Sequence, residues 1–174
     1  MIEPTDYQWF GTCLEFVVLD QPVGQGRITC RNIKGKAIGT HTNAQALKRY
    51  RGNVAKRAEL AMAATDWLFP IVGQPVALNL VFTMPRPVSV IRSYPMIKSN
   101  TNPDTDHLER AILDALSKVV IKDDALVIEV HTIKTYPRRG PGAHRLALDI
   151  PGVRIRVSTM ERPQMRGEQS EWAK

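Results

Sequence analysis

Two acidic clusters and one arginine carry the chemistry that this sequence offers. Asp104 and Asp106 are spaced by one residue, and a second pair, Asp123-Asp124, opens an apolar run further along the chain. Carboxylates are hard oxygen ligands, which suit Mg2+ or Mn2+ and not zinc. A divalent ion held by them can activate water and neutralise charge developing on a phosphate. Two acidic groups at the two ends of one helix come together if the segments at those ends are neighbours in a sheet. Asp104, Asp106 and one carboxylate of the second pair are therefore expected to converge, and strand alternation does not choose between Asp123 and Asp124. Arg110 stands four residues beyond Asp106, one helical turn away, where it can hold a phosphate oxygen by charge-assisted hydrogen bonds. An isolated Asp-x-Asp is more often a helix cap than a catalytic pair. Here the chain carries a net charge of +7, in which an acidic knot is out of place. The combination reads as a metal site inside a protein built to meet a polyanion.

The elements that must position these groups are legible nearby. Pro103 directs Asn102 toward extended geometry, and an extended Asp104 to Asp106 would point both carboxylates to one face. Asp106-x-x-Glu109 ahead of an apolar periodic run is a capping-box signal. Leu108, Ala111, Ile112, Ala115, Leu116 and Val119 recur at helical spacing, and Asp106, Arg110, Asp114 and Lys118 lie on the other face. Strands are expected at Leu14 to Leu19, Arg27 to Arg31, Val76 to Met84, Ala125 to Lys134 and Val153 to Ser158. Leu146 to Ile150 reads as an earlier part of the last strand. Val76 to Met84 is apolar on both faces, which predicts a central position. A helix over Ala44 to Thr65, capped by Asn43, buries a stripe of Leu47, Tyr50, Val54, Ala58 and Ala61. This order predicts one α+β domain, a mixed sheet packed by two main helices, over residues 13–159. Residues 1–12 read as a flexible leader and 160–174 as a polar tail.

Composition narrows the function. At 174 residues and 43% hydrophobic content, the chain is long enough for one domain with a real core. No apolar stretch approaches the roughly 20 residues that cross a bilayer. Nor does the N-terminus, MIEPTDYQWF, resemble a secretory signal. Cys13 and Cys30 form neither a metal spacing nor a disulfide framework, and a reduced cytoplasmic setting is expected. The pI near 9.7 points to nucleic acid. Cations crowd the helix at Lys48, Arg49, Arg51, Lys56 and Arg57 with almost no acidic partners. Others punctuate the glycine-rich loop at Arg27 and the proline-bearing loop 85–103 at Arg86. The cations expected on DNA are Arg27, Arg49, Lys56, Arg57, Arg86, Arg110 and Lys118. The four histidines show no ligand spacing, and no Gly-x-Ser-x-Gly or P-loop pattern appears.

The stretch PDTDHLERAILDALSKVVIKDDALV resembles the RusA family of Holliday junction resolvases. That family's pattern runs Asp-x-Asp-Asn, then a helix with a basic residue and Asp-Ala-Leu, then Asp-Asp before a strand. Asp104 to His107, Asp114-Ala115-Leu116 and Asp123-Asp124 stand at these positions. Tyr50-Arg51, Asn53-Val54-Ala55 and the turn from Pro22 to Arg27 also resemble the family. The resemblance implies a homodimeric, magnesium-dependent endonuclease that nicks four-way DNA junctions symmetrically. It implies Asp104, Asp106 and Asp124 as metal-binding catalytic carboxylates, choosing Asp124 over Asp123, with Arg110 as the basic catalytic residue. His107 replaces the usual Asn and Arg110 the usual Lys, a swap that keeps charge but not geometry. The rival expectations are a flap- or fork-type branched-DNA nuclease, and a DNA-binding protein that keeps the fold without catalysis.

Overall fold

The structure, a computed structural model, describes residues 13–26, 28–33, 35–65, 67, 70–88, 103–138 and 144–159. The expected leader, the expected tail, Arg27 and most of loop 85–103 lie outside these residues. Among the described residues, six strands and two helices follow in the order β1 (Cys13–Val18), β2 (Ile28–Ile33), β3 (Lys36–His41), α1 (Ala44–Ala64), β4 (Val76–Thr83), α2 (Thr105–Leu116), β5 (Val127–Thr135) and β6 (Gly152–Thr159). A short 3-10 turn, Asp124–Leu126, precedes β5. The main sheet has the order β1-β6-β4-β5; β4 pairs parallel with β5 and antiparallel with β6. This is the mixed sheet and two-helix α+β architecture that the element order predicts.

Alternation decides which face the helices cover. Leu14, Val157 and Leu78 form one row across three strands, Phe16, Ile155 and Leu80 the next, and Val18, Val153 and Phe82 a third. All nine are buried and belong to one core with Leu47, Tyr50, Val54 and Ala58 of α1 and Leu108, Ala111, Ile112 and Leu116 of α2. β4 is central, as its two apolar faces predict, with Ala77 and Val81 buried on the side away from the helices. Burial of the Tyr50 hydroxyl, and then the Asp20 carboxylate, push its pKa far up. Arg51 of α1 pairs with Asp114 of α2, tying the two helices at their solvent edge.

Three expectations change. Residues 28–41 form a separate two-stranded hairpin turning at Gly35, whose φ of 79° suits glycine, so the basic loop contains a second strand, β3. Leu146 to Ile150 is not a strand: Pro151 interrupts it, the Leu148 amide bonds the Thr83 hydroxyl at 3.0 Å, and its carbonyl accepts from Arg138. α2 stops at Leu116 because Ser117 turns to ψ 131° and Lys118 takes φ 67°, which places Val119 and Lys118 beyond the helix. Among the described residues no helix is long and apolar enough to cross a membrane.

Ile112 is fully buried between the helices and the sheet. Ile112→Ala is expected to cost about 2–5 kcal/mol. Leu60→Ala, at a side chain 53% exposed, should stay within about 0.5 kcal/mol. Urea denaturation of the two variants checks the assignment of the core.

Candidate functional site

The Asp104 backbone is extended (φ −65°, ψ 157°) at the position before α2, and its side chain caps no amide. Asp106 is not the cap that the Asp106-x-x-Glu109 pattern predicts. The helix has already begun at Thr105, so Asp106 lies in its first turn. The carboxylates therefore meet through a helical turn and not through strand alternation. One ligand atom from each of Asp104, Asp106 and His107 lies within 4.8 Å of the others, with His107 Nε2 3.8 Å from Asp106 Oδ2. Two exposed carboxylates at a helix N-terminus are stabilised by its dipole and remain open to an external cation.

A cleft of about 620 Å³ adjoins this group, lined by Gln21 to Gly26, Thr42, Asn43, Pro103, Asp104 and His107. Asn43 holds its wall in place. Its side chain does not cap α1 as expected. The amide nitrogen donates to Gly24 O (2.9 Å), and its Oδ1 accepts from Gly26 N (3.1 Å). The Gln25 amide then donates to His107 O at 2.9 Å, fastening the loop to the first turn of α2. Gly24 permits that approach: a Cβ there would lie 2.5 Å from Pro103 Cβ and 3.1 Å from His107 Cβ.

Lys134 supports the site from below, and it is not among the residues expected from the sequence. It pairs with Phe82 across the parallel ladder, so it continues the inward row of Val18, Val153 and Phe82. From the end of β5 its Nζ donates to Pro103 O at 2.8 Å, one residue before Asp104. Desolvation lowers its pKa, and the Asp104 carboxylate acts in the opposite sense. A lysine at an inward position, after Val130 and Thr132, was the available signal. Arg86 lies at the same sheet edge, its guanidinium 4.5 Å from the centroid of the buried Tyr136 ring.

Asp124 lies elsewhere. β4, α2 and β5 form a parallel strand–helix–strand crossover, in which the helix runs back against both strands. Asp104 is thus at the carboxyl edge of the sheet and Asp124 at the amino edge, where Ile71 N donates to Val120 O and Lys122 N to Ile71 O. The two ends of the 12-residue α2 are roughly 18 Å apart at 1.5 Å per residue. The expected convergence of three carboxylates does not occur within one chain. Asp123 accepts from Ala125 N at 2.9 Å, and that bond, followed by Asp124, lowers its pKa. Asp124 is exposed, and Lys118 and Lys122 act on its neighbour Asp123.

The cations divide between these two edges. Arg110 is exposed one turn from Asp106, and among the described residues it has no ion-pair partner. Lys118 belongs to the Asp124 end. On α1, Arg49 lies 3.8 Å from Asp20 and Arg57 Nε donates to Val17 O, while Lys56 is exposed. Arg49 is about 9 Å along α1 from Asn43 and the cleft, and Lys56 about 20 Å.

The family model described as "Endodeoxyribonuclease RusA" matches residues 20–157. "Uncharacterized protein YqaN" of Bacillus subtilis (strain 168) is 27% identical over 132 residues, covering 71% of this chain and 88% of that protein.

Asn43→Ala should release the cleft wall. The expected effect is a loss of about 1 kcal/mol with faster amide exchange at Gly26 and Gln25, while Leu47, bonded to the Asn43 carbonyl, keeps its protection. Lys134→Met should change the alkaline limb of stability. Because the lysine pKa is lowered in the folded state, the unfolded chain holds that proton more tightly, and stability from this group rises with pH between the two values. Denaturation measured across that range should show the rise in the wild type and not in the variant.

Proposed function

The chain belongs to the RusA endodeoxyribonuclease family, a family of Holliday junction resolving endonucleases, and from that membership we propose that it is a Mg2+- or Mn2+-dependent resolvase of four-way DNA junctions acting as a homodimer. The observation that carries this reading is the open Asp104–Asp106 pair beside a cleft in a strongly basic chain. The donor set fits a divalent cation, because two exposed carboxylates supply hard oxygen ligands and leave room for water and phosphate. When bound there, such an ion activates water and neutralises charge developing on the scissile phosphate.

The chain's own residues divide the remaining work. Asp104 and Asp106 hold the cation. Lys134 fixes the Pro103 carbonyl and with it the position of Asp104. Arg110, an open guanidinium one turn away, grips the phosphate being cut. Arg27, Arg49, Lys56, Arg57, Arg86 and Lys118 neutralise phosphates of the arms. Asp124 joins the site from a second copy. The crossover keeps it from its own Asp104, and a two-fold dimer that sets each carboxyl edge against the partner's amino edge would bring the two together. Two such composite sites account for two symmetric nicks, the property that separates a resolvase from a flap or fork nuclease.

Asp104→Asn, Asp106→Asn and Asp124→Asn are each expected to abolish nicking of a labelled four-way junction while retaining binding. Mixing the Asp104→Asn and Asp124→Asn proteins should restore nicking, since a mixed dimer with shared sites contains one intact centre. No recovery from subunits shown to exchange would place the site within one chain. Binding measured at several salt concentrations should show the slope reduced by about 0.9 for each phosphate that is no longer neutralised, as in Lys56→Ala. Arg110→Ala should instead slow single-turnover cleavage of bound junction. Equal cleavage of flaps, forks and junctions would favour the branched-DNA nuclease reading.

A further inference from the structure

His107 changes the donor set of this site. It contributes a nitrogen within 4.8 Å of the ligand oxygens of Asp104 and Asp106. The side chain is held from two directions. Its backbone lies in the first turn of α2, anchored by the buried Leu108 and Ala111. Its carbonyl accepts from Gln25 N, and the absent Cβ of Gly24 leaves room for its Cβ. The ring remains 39% exposed and faces the Asp106 carboxylate, with Nε2 3.8 Å from Oδ2.

Resting on the metal-site reading above, we propose that His107 is a direct ligand and that it shifts the site toward transition-metal divalent ions over Mg2+. Magnesium binds oxygen and gives up its waters reluctantly. An imidazole suits first-row transition ions, whose affinities for a mixed nitrogen and oxygen site rise from Mn2+ toward Co2+ and beyond. An amide at this position offers only a neutral oxygen or a hydrogen-bond donor. A histidine in this position therefore favours Mn2+ and Co2+ while giving little to Mg2+. A histidine serving only as an ionic partner of Asp106 would instead influence every cation through the same carboxylate.

The test uses the full chain, titrated calorimetrically with Co2+ and separately with Mg2+ at mildly alkaline pH, where imidazole is neutral. Wild type, His107→Asn and Asp104→Asn are compared. Proton NMR of the Co2+-loaded proteins adds a second readout, the hyperfine-shifted ring N–H of a metal-bound histidine. Expected for His107→Asn is a loss of Co2+ affinity of at least roughly tenfold, the scale seen when even an outer partner of a ligand is removed. Its Mg2+ affinity should change by less than about twofold, since Mg2+ takes oxygen ligands. One shifted ring signal present in the wild type should disappear. Unchanged Co2+ affinity, or an equal loss for both ions, would overturn the ligand assignment. Loss of both ions in Asp104→Asn keeps the carboxylate site standing even then. Retention of both in Asp104→Asn would refute the metal-site reading itself.

Discussion

The parallel pairing of β4 with β5 is the constraint from which the rest of the structure follows. Parallel neighbours require a crossover, and the crossover here is α2. The helix must run back against both strands, so its N-terminus lies at their carboxyl ends and its C-terminus at their amino ends. Asp104 and Asp106 occupy the first location and Asp124 the second. That geometry keeps Asp124 away from Asp104 and Asp106 within one chain.

Around the carboxylates, three interactions with main-chain atoms hold the neighbouring segments. The Gln25 amide, the Asn43 side chain and the Lys134 ammonium all end on backbone atoms: His107 O, Gly24 O with Gly26 N, and Pro103 O. Each fixes a segment through its main chain. Burial lowers the Lys134 pKa, and the Asp104 carboxylate opposes part of that shift. The cleft between the loop and α2 thus has a wall held by hydrogen bonds to the main chain and the Asp104 carboxylate in its lining.

Much of this was legible in the sequence. Helical periodicity placed Leu108, Ala111, Ile112, Ala115 and Leu116 in the core, and all five are buried. The two apolar faces of residues 76–83 identified the central strand. The Asp-x-Asp spacing and its surroundings pointed to the family. Local chemistry suffices for such features, because burial and periodicity act over one or two turns of chain.

Other features needed the folded chain. Asn43 and Asp106 both resemble helix caps by type and position. Yet Asn43 bonds a loop 17 to 19 residues earlier, and Asp106 lies inside a helix that starts at Thr105. A cap is a local signal, and a distant partner that binds the same atoms leaves no trace in local spacing. Lys134 joins Pro103 only because strand register places it beneath α2. The sequence alone determined which residue types could bind a cation and which face of each element is apolar. The tertiary structure decided which of them meet, because strand direction and register set distances across segments remote along the chain.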